Sequence, residues 1–190
     1  QQVARAINEV GVGLRFAPAH HSAMRYAIGP RKELGMRTLF NILGPLTNPA
    51  GVKRQVIGVY DPKLCETMAQ VLKALGAEHA MIVHSDDGLD EISIAAGTQV
   101  AELRDGSITT YHITPGEFGQ ELMSLDGLEV DSAGASAGLI RSALGGAGDE
   151  AARKAAAIIA LNAGATIYVS GVAATLADGV SMADDLLATG

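Results

Sequence analysis

The run from Gln55 to His84 leaves few folds open to this chain. Gln55-Val56-Ile57-Gly58-Val59-Tyr60 is apolar and rich in β-branched residues, and reads as a buried strand. Asp61-Pro62 starts a helix, a capping residue followed by proline at the first helical position. That helix is expected to run to about Leu75 and to stop at Gly76. A second strand near His79 to His84, with Ala80-Met81-Ile82-Val83 as its apolar core, closes a β-α-β unit. Such a unit implies parallel strands and a right-handed crossover, so the expected fold class is α/β.

The second strand delivers the chain to His84-Ser85-Asp86-Asp87-Gly88-Leu89-Asp90-Glu91-Ile92-Ser93, where four carboxylates fall within six residues. Open α/β sheets bind ligands just beyond the carboxyl ends of their strands. Adjacent Asp90 and Glu91 in that place could hold Mg²⁺, a hard cation that takes oxygen ligands and shares them with substrate phosphates. The alternative is an acidic turn facing solvent.

The flanking segments divide into two styles. Gln2 to Val10 reads as a short helix and Gly11 to Ala17 as a short strand ahead of Pro18. Three helices follow: His20 to Ile28, one from about Arg31 to Gly35, and Arg37 to Leu43, which should end at Gly44-Pro45. These suit a small helical insert, with Leu46 to Gly51 as a linker. The expected division is residues 1–18 in an α/β domain, 19–47 in the insert and 48–190 in the α/β domain again. Thr98 to Leu103 and Ile108 to Ile113 alternate, and Arg104-Asp105-Gly106-Ser107 between them is a hairpin signal. Pro115 to Phe118 should open a short turn or helix. Helices are expected over Ala137 to Leu144, from Glu150 (capped by Asp149) to Leu161, over Ala165 to Ala177, and over Ser181 to Ala188.

Composition excludes several classes of function. A net charge of −7 argues against a nucleic-acid or anionic-membrane binder, both of which want a basic surface. The single cysteine, Cys65, allows no internal disulfide and suits a reducing, cytoplasmic compartment, with packing as its expected role. Ala155 to Ala177 carries no charge, but Asn162-Ala163-Gly164 in its middle reads as a helix stop, so two buried helices are expected there rather than a membrane span. The first residues, Gln1-Gln2-Val3-Ala4-Arg5, have no signal-peptide pattern.

Other candidate sites divide along similar lines. Gly145-Gly146-Ala147-Gly148-Asp149 lacks dinucleotide spacing and a P-loop lysine, so a plain loop is expected. His20-His21 has no third ligand at helical spacing, which leaves one histidine on a pocket wall. Arg31 could grip a carboxylate or phosphate with its planar fork, or be a surface charge beside Lys32-Glu33. Asn41-Ile42-Leu43-Gly44-Pro45-Leu46-Thr47-Asn48-Pro49 is a stiff backbone that would serve as a hinge or as a pocket wall.

Taken together, Phe16-Ala17-Pro18, His21 with Ala23-Met24, the block from Arg31-Lys32-Glu33-Leu34-Gly35 to Asn48-Pro49, Gly88-Leu89-Asp90-Glu91 and Asn162-Ala163-Gly164 resemble the anthranilate phosphoribosyltransferases. The resemblance implies a nucleoside phosphorylase/phosphoribosyltransferase-like (class IV) α/β sheet with flanking helices, plus part of a small helical domain. It implies transfer of phosphoribose from phosphoribosyl pyrophosphate to anthranilate, a step of tryptophan biosynthesis. It further implies Mg²⁺ on Asp90 and Glu91, Arg31 on the anthranilate carboxylate, and His21 with Gly44 and Pro45 lining the anthranilate pocket. A cytoplasmic homodimer, with no nucleic-acid or membrane partner, completes that picture. A pyrimidine nucleoside phosphorylase shares the fold, but the Arg31-to-Pro49 block speaks against it. A non-catalytic nucleic-acid-binding relative is opposed by the charge of −7. The family's Gly-Thr-Gly-Gly-Asp and Lys-His-Gly-Asn-Arg segments are missing, so the chain is expected to be the C-terminal part of such an enzyme, inactive alone.

Overall fold

The computed structural model describes residues 2–14, 33, 40–46, 50–146 and 148–189. Two compact units divide the chain, Gln1–Asn48 and Pro49–Gly190.

In the first unit, α1 spans Gln2–Val10 as expected. The strand expected from Gly11 does not form over residues 11–14. Instead the Gly11 N–H donates to the Ile7 carbonyl at 3.0 Å and Gly11 adopts φ +84, the left-handed turn that ends a helix. Residues 15–17 of that expected strand lie outside the described residues, as do the expected helices over 20–28 and 31–35 except for the helical Glu33. The next helix, α2, spans Phe40–Leu46 and contains Pro45. Gly44-Pro45 therefore does not end it. Proline's fixed φ is a helical one, and in so short a helix its missing N–H removes a single bond.

The second unit is built on a sheet of β1 (Arg54–Gly58), β2 (His79–Ser85), β3 (Thr98–Arg104) and β4 (Ser107–Ile113), in that spatial order. β1 and β2 are parallel, with Arg54 opposite His79 and Gly58 opposite Val83. They are joined through α3 (Lys63–Ala74), as the β-α-β reading requires. α3 starts one residue later than expected: Pro62 rather than Asp61 is its capping residue, with no side-chain cap, and Asp61 accepts the Lys63 N–H at 3.0 Å in the turn ahead of it. β3 and β4 continue the sheet antiparallel, and Asp105 (φ +49) with Gly106 (φ +76) make the tight turn between them.

β2 is buried at all seven positions, because helices cover both of its faces. α3 lays Cys65, Met68, Ala69 and Leu72, one helical stripe, on β2 and β3. Burial pushes the Cys65 thiol up to about 11, consistent with packing and not with a nucleophile. On the opposite face, Met81, Val83 and Val100 meet Ala157, Leu161, Ala165 and Tyr168 of α5 (Glu150–Ser170). Before α5 come a 3-10 turn at Pro115–Phe118 and α4 (Ala133–Leu144), which starts a turn earlier than expected because Ser132 caps it. Asp149 caps α5 as expected. After it comes α6 (Leu176–Thr189).

The helix stop expected at Asn162-Ala163-Gly164 does not occur. α5 runs unbroken through it and ends at Gly171, φ +88, so the expected pair 150–161 and 165–177 is one helix and α6 begins at Leu176. Gly164 marks a close approach instead: a Cβ there would lie 2.5 Å from Val180 Cα. Gly179 faces the Gly164 carbonyl from α6 with equally little room. Among the described residues, no helix is long and apolar enough to cross a membrane.

One polar cluster sits inside this unit. Glu102 of β3 accepts hydrogen bonds from Tyr168 (2.7 Å) and Tyr111 (2.8 Å) and lies 2.8 Å from His79 Nε2. Burial alone would raise the Glu102 carboxyl, but these donors outweigh it and hold it below the usual range.

Gly164→Ala is expected to force α5 and α6 apart and to cost about 1–3 kcal/mol, the usual penalty of overpacking. Urea unfolding of the variant beside the parent measures it, and an unchanged midpoint would refute the close-packing account.

Candidate functional site

The acidic loop leaves the C-terminal end of β2, and its four carboxylates separate into different roles. Asp87 folds back on its own loop. It accepts the Leu89 N–H at 3.1 Å and the Ser93 hydroxyl in a short hydrogen bond. Partial burial works against its charge, yet these donors prevail and hold the Asp87 carboxyl below its ordinary value. Asp86 lies 3.0 Å from His112 Nε2 on β4, an exposed pair. Asp90 and Glu91 are left at the crest. Burial, and next the charge of Asp90, hold Glu91 above the usual carboxylate range.

Three contacts fix where that crest sits. The Ser85 N–H donates to the Leu89 carbonyl and the Gly88 N–H to the Ser85 carbonyl, each at 2.9 Å, which folds the tip into a turn with Gly88 at φ +93. The backbone carbonyl of Asp90 lies directly on Gly58, at the end of β1, where a Cβ would overlap it. Behind the crest, Asn162 of α5 clasps the Ile92 peptide: the Ile92 N–H donates to Oδ1 at 3.0 Å and Nδ2 donates to the Ile92 carbonyl at 2.9 Å. His84, the last histidine of β2, is turned inward, its Nδ1–H donating to the Val59 carbonyl at 2.8 Å.

Asp90 and Glu91 form the rim of a cavity of about 490 Å³. Val56, Gly58 and Val83 from the strand ends make its floor, and Ile158, Ile159, Asn162, Ala163 and Thr166 of α5 its wall. Among the described residues, no group of three or more histidine, cysteine or acidic side chains could enclose a metal. A two-carboxylate donor set fits Mg²⁺, which keeps several waters and takes the remaining ligands from a substrate phosphate. A bound cation would favour the charged form of Glu91 against both its burial and the neighbouring charge of Asp90.

Of the residues expected to form a site, Asp90 and Glu91 are thus brought together at one cavity. Gly44 and Pro45 lie on α2 in the first unit. His21 and Arg31 fall outside the described residues. Sequence reasoning missed Asn162 as the anchor of the loop, taking it for a helix breaker. Its signal was an amide standing alone in an Ala- and Ile-rich helix. Gly58 was missed too, read only as a member of its strand.

The sequence matches, over residues 1–190, the family described as "Glycosyl transferase family, a/b domain". The chain belongs to that family. It is 62% identical over 189 residues to the anthranilate phosphoribosyltransferase of Saccharophagus degradans, covering 100% of this chain and 55% of that protein. Its fold is similar to the crystal structure of anthranilate phosphoribosyltransferase from Thermus thermophilus, with a TM-score of 0.87 at 39% identity over 99% of this chain and 54% of that one. It is also similar to anthranilate phosphoribosyltransferase from Saccharomyces cerevisiae in complex with PRPP and Mg, with a TM-score of 0.75 at 26% identity over 89% of this chain and 48% of that one. The chain therefore spans about half the length of the relatives it matches.

Asp87 provides a test of the loop's construction. Its folded-state pKa lies below the ordinary value of 3.8, so its stabilisation is complete above that value and is lost as pH falls through the folded one. Urea unfolding from pH 7 to pH 3 should show Asp87→Asn less stable than the parent at neutral pH, the gap narrowing below about pH 4. A gap independent of pH would refute the role of the charge.

Proposed function

We propose that these residues form the metal-binding part of an enzyme that transfers phosphoribose from phosphoribosyl pyrophosphate to anthranilate, giving N-(5-phosphoribosyl)anthranilate and pyrophosphate. The observation that carries this reading is the Asp90–Glu91 pair at the carboxyl end of β2, held over a cavity and with both carboxylates unused by the loop itself. The similarity to enzymes named for this activity supports the choice of substrates.

The chemistry suits such a site. Anthranilate's amine attacks the ribosyl C1, the bond from C1 to the pyrophosphate oxygen breaks, and the amine gives up a proton. Mg²⁺ on Asp90 and Glu91 would neutralise the departing pyrophosphate without proton transfer. The aromatic amine is neutral near pH 7, so its placement beside C1 matters more than a strong base. Arg31 is assigned to the anthranilate carboxylate, which its planar fork would bind bidentately. His21, Gly44 and Pro45 are assigned to the wall of the anthranilate pocket. These four assignments rest on the match of the Arg31-to-Pro49 block and of His21 to the family pattern. A cytoplasmic homodimer belongs to the same proposal.

The test is Mg²⁺-dependent transfer from phosphoribosyl pyrophosphate to anthranilate by the protein that carries these residues. Asp90→Ala should lower kcat/KM by roughly a hundredfold or more, since a bound metal is worth several kcal/mol of charge stabilisation. Arg31→Ala should act on KM for anthranilate, by roughly tenfold to a hundredfold, as expected for a lost charge-assisted pair. Turnover indifferent to both substitutions would overturn the proposal.

A further inference from the structure

The Asn162 carboxamide is spent on a single neighbouring peptide. Its Oδ1 accepts the Ile92 N–H at 3.0 Å and its Nδ2 donates to the Ile92 carbonyl at 2.9 Å, while the same Nδ2 also donates to the Ile158 carbonyl of its own helix at 3.0 Å. A side-chain amide thus pairs with a backbone amide as one strand pairs with another. Ile92 is the residue directly after Glu91, and its side chain is buried at 3% exposure in the core shared with α5. Below the crest, the Leu89 carbonyl is tied to the Ser85 N–H at 2.9 Å. Asp90 and Glu91 are therefore the only two residues between Leu89, tied to β2, and Ile92, tied to α5.

We propose that Asn162 is a positioning residue for the cation: by clasping the Ile92 peptide it fixes the backbone from which Asp90 and Glu91 project into the cavity that Asn162 itself lines. This rests on the reading of Asp90 and Glu91 as the metal-binding pair. Two features make the geometry demanding. The Asp90 carbonyl already sits on Gly58 without room for a Cβ, so the crest has no freedom toward β1. On the α5 side, the clasp needs a donor and an acceptor from one short side chain. Aspartate would supply no donor, and serine could not span both groups of the peptide. The hydrogen bonds of Asn162 go to backbone groups; it acts through the backbone, as outer-shell partners of metal ligands commonly do. The need for it explains why a residue of modest helix propensity stands in the middle of a long apolar helix.

Mn²⁺ serves as the probe, since it takes the same oxygen ligands as Mg²⁺ and reports its binding through water proton relaxation. The full chain is titrated with Mn²⁺ as the parent, Asp90→Asn, Asn162→Ala and Leu161→Ala. The last removes a fully buried side chain from the same helix and lowers stability while leaving the Asn162 carboxamide in place. The expected result is affinity weakened roughly tenfold or more in both Asp90→Asn and Asn162→Ala, with Leu161→Ala holding the parent value. Asn162→Gln keeps the carboxamide but shifts it by one methylene; it stands in if the alanine variant does not fold, and the same weakening is expected. Binding lost in Asp90→Asn but kept in the Asn162 variants would overturn the positioning role alone. An Asp90→Asn variant that binds as the parent does would overturn the metal reading and this one with it. Equal weakening in Leu161→Ala would reduce Asn162 to a stability residue and also overturn the proposal.

Discussion

The burial of β2 on both faces is the constraint that the rest of the second unit answers. A strand covered by α3 on one side and α5 on the other has its side chains withdrawn from solvent. Every polar group on it must then find a partner inside the protein. The two ends of β2 solve this differently. His79 is met by Glu102, which in turn collects Tyr111 and Tyr168. At the other end His84 donates to Val59 and Ser85 to the Gly97 carbonyl. The first solution closes the sheet. The second leaves the chain emerging, already tied down, at the place where a loop can carry chemistry.

What emerges is a loop that spends some of its charges to hold others. Asp87 is consumed by Leu89 and Ser93, and Asp86 is paired with His112. Asp90 and Glu91 are adjacent and mutually repelling, with Glu91 raised by burial and by its neighbour. Two adjacent carboxylates of this kind would be relieved by a cation between them, as the proposed function requires. The surroundings hold it there by backbone contacts: the Asp90 carbonyl against Gly58, and the Ile92 peptide in the grip of Asn162. Rigidity of the loop backbone is what places these two carboxylates.

Membership of the family fits this division of labour. The relatives it matches are about twice as long as this chain, and one is described in complex with PRPP and Mg. A two-carboxylate donor set that leaves most of the coordination sphere to other ligands suits a site completed by substrate phosphates.

The sequence by itself determined the β-α-β unit, the hairpin at Asp105-Gly106 and the position of Asp90-Glu91 beyond β2. These rest on local rules: residue period, the Asp61-Pro62 turn ahead of α3, and the positive φ that the hairpin turn demands. It misjudged residues whose local preference is overridden at long range. Asn162 and Gly164 look like a helix stop, yet the amide is committed to a peptide 70 residues away and the glycine exists to admit Val180. Gly11 went the other way: no strand forms over residues 11–14, and its left-handed turn ends α1 by a local preference. Which of four carboxylates remained free was likewise decided only by the folded structure: Ser93 turns back on Asp87 within the loop, and His112 and α5 reach it from positions that no local pattern ties to it.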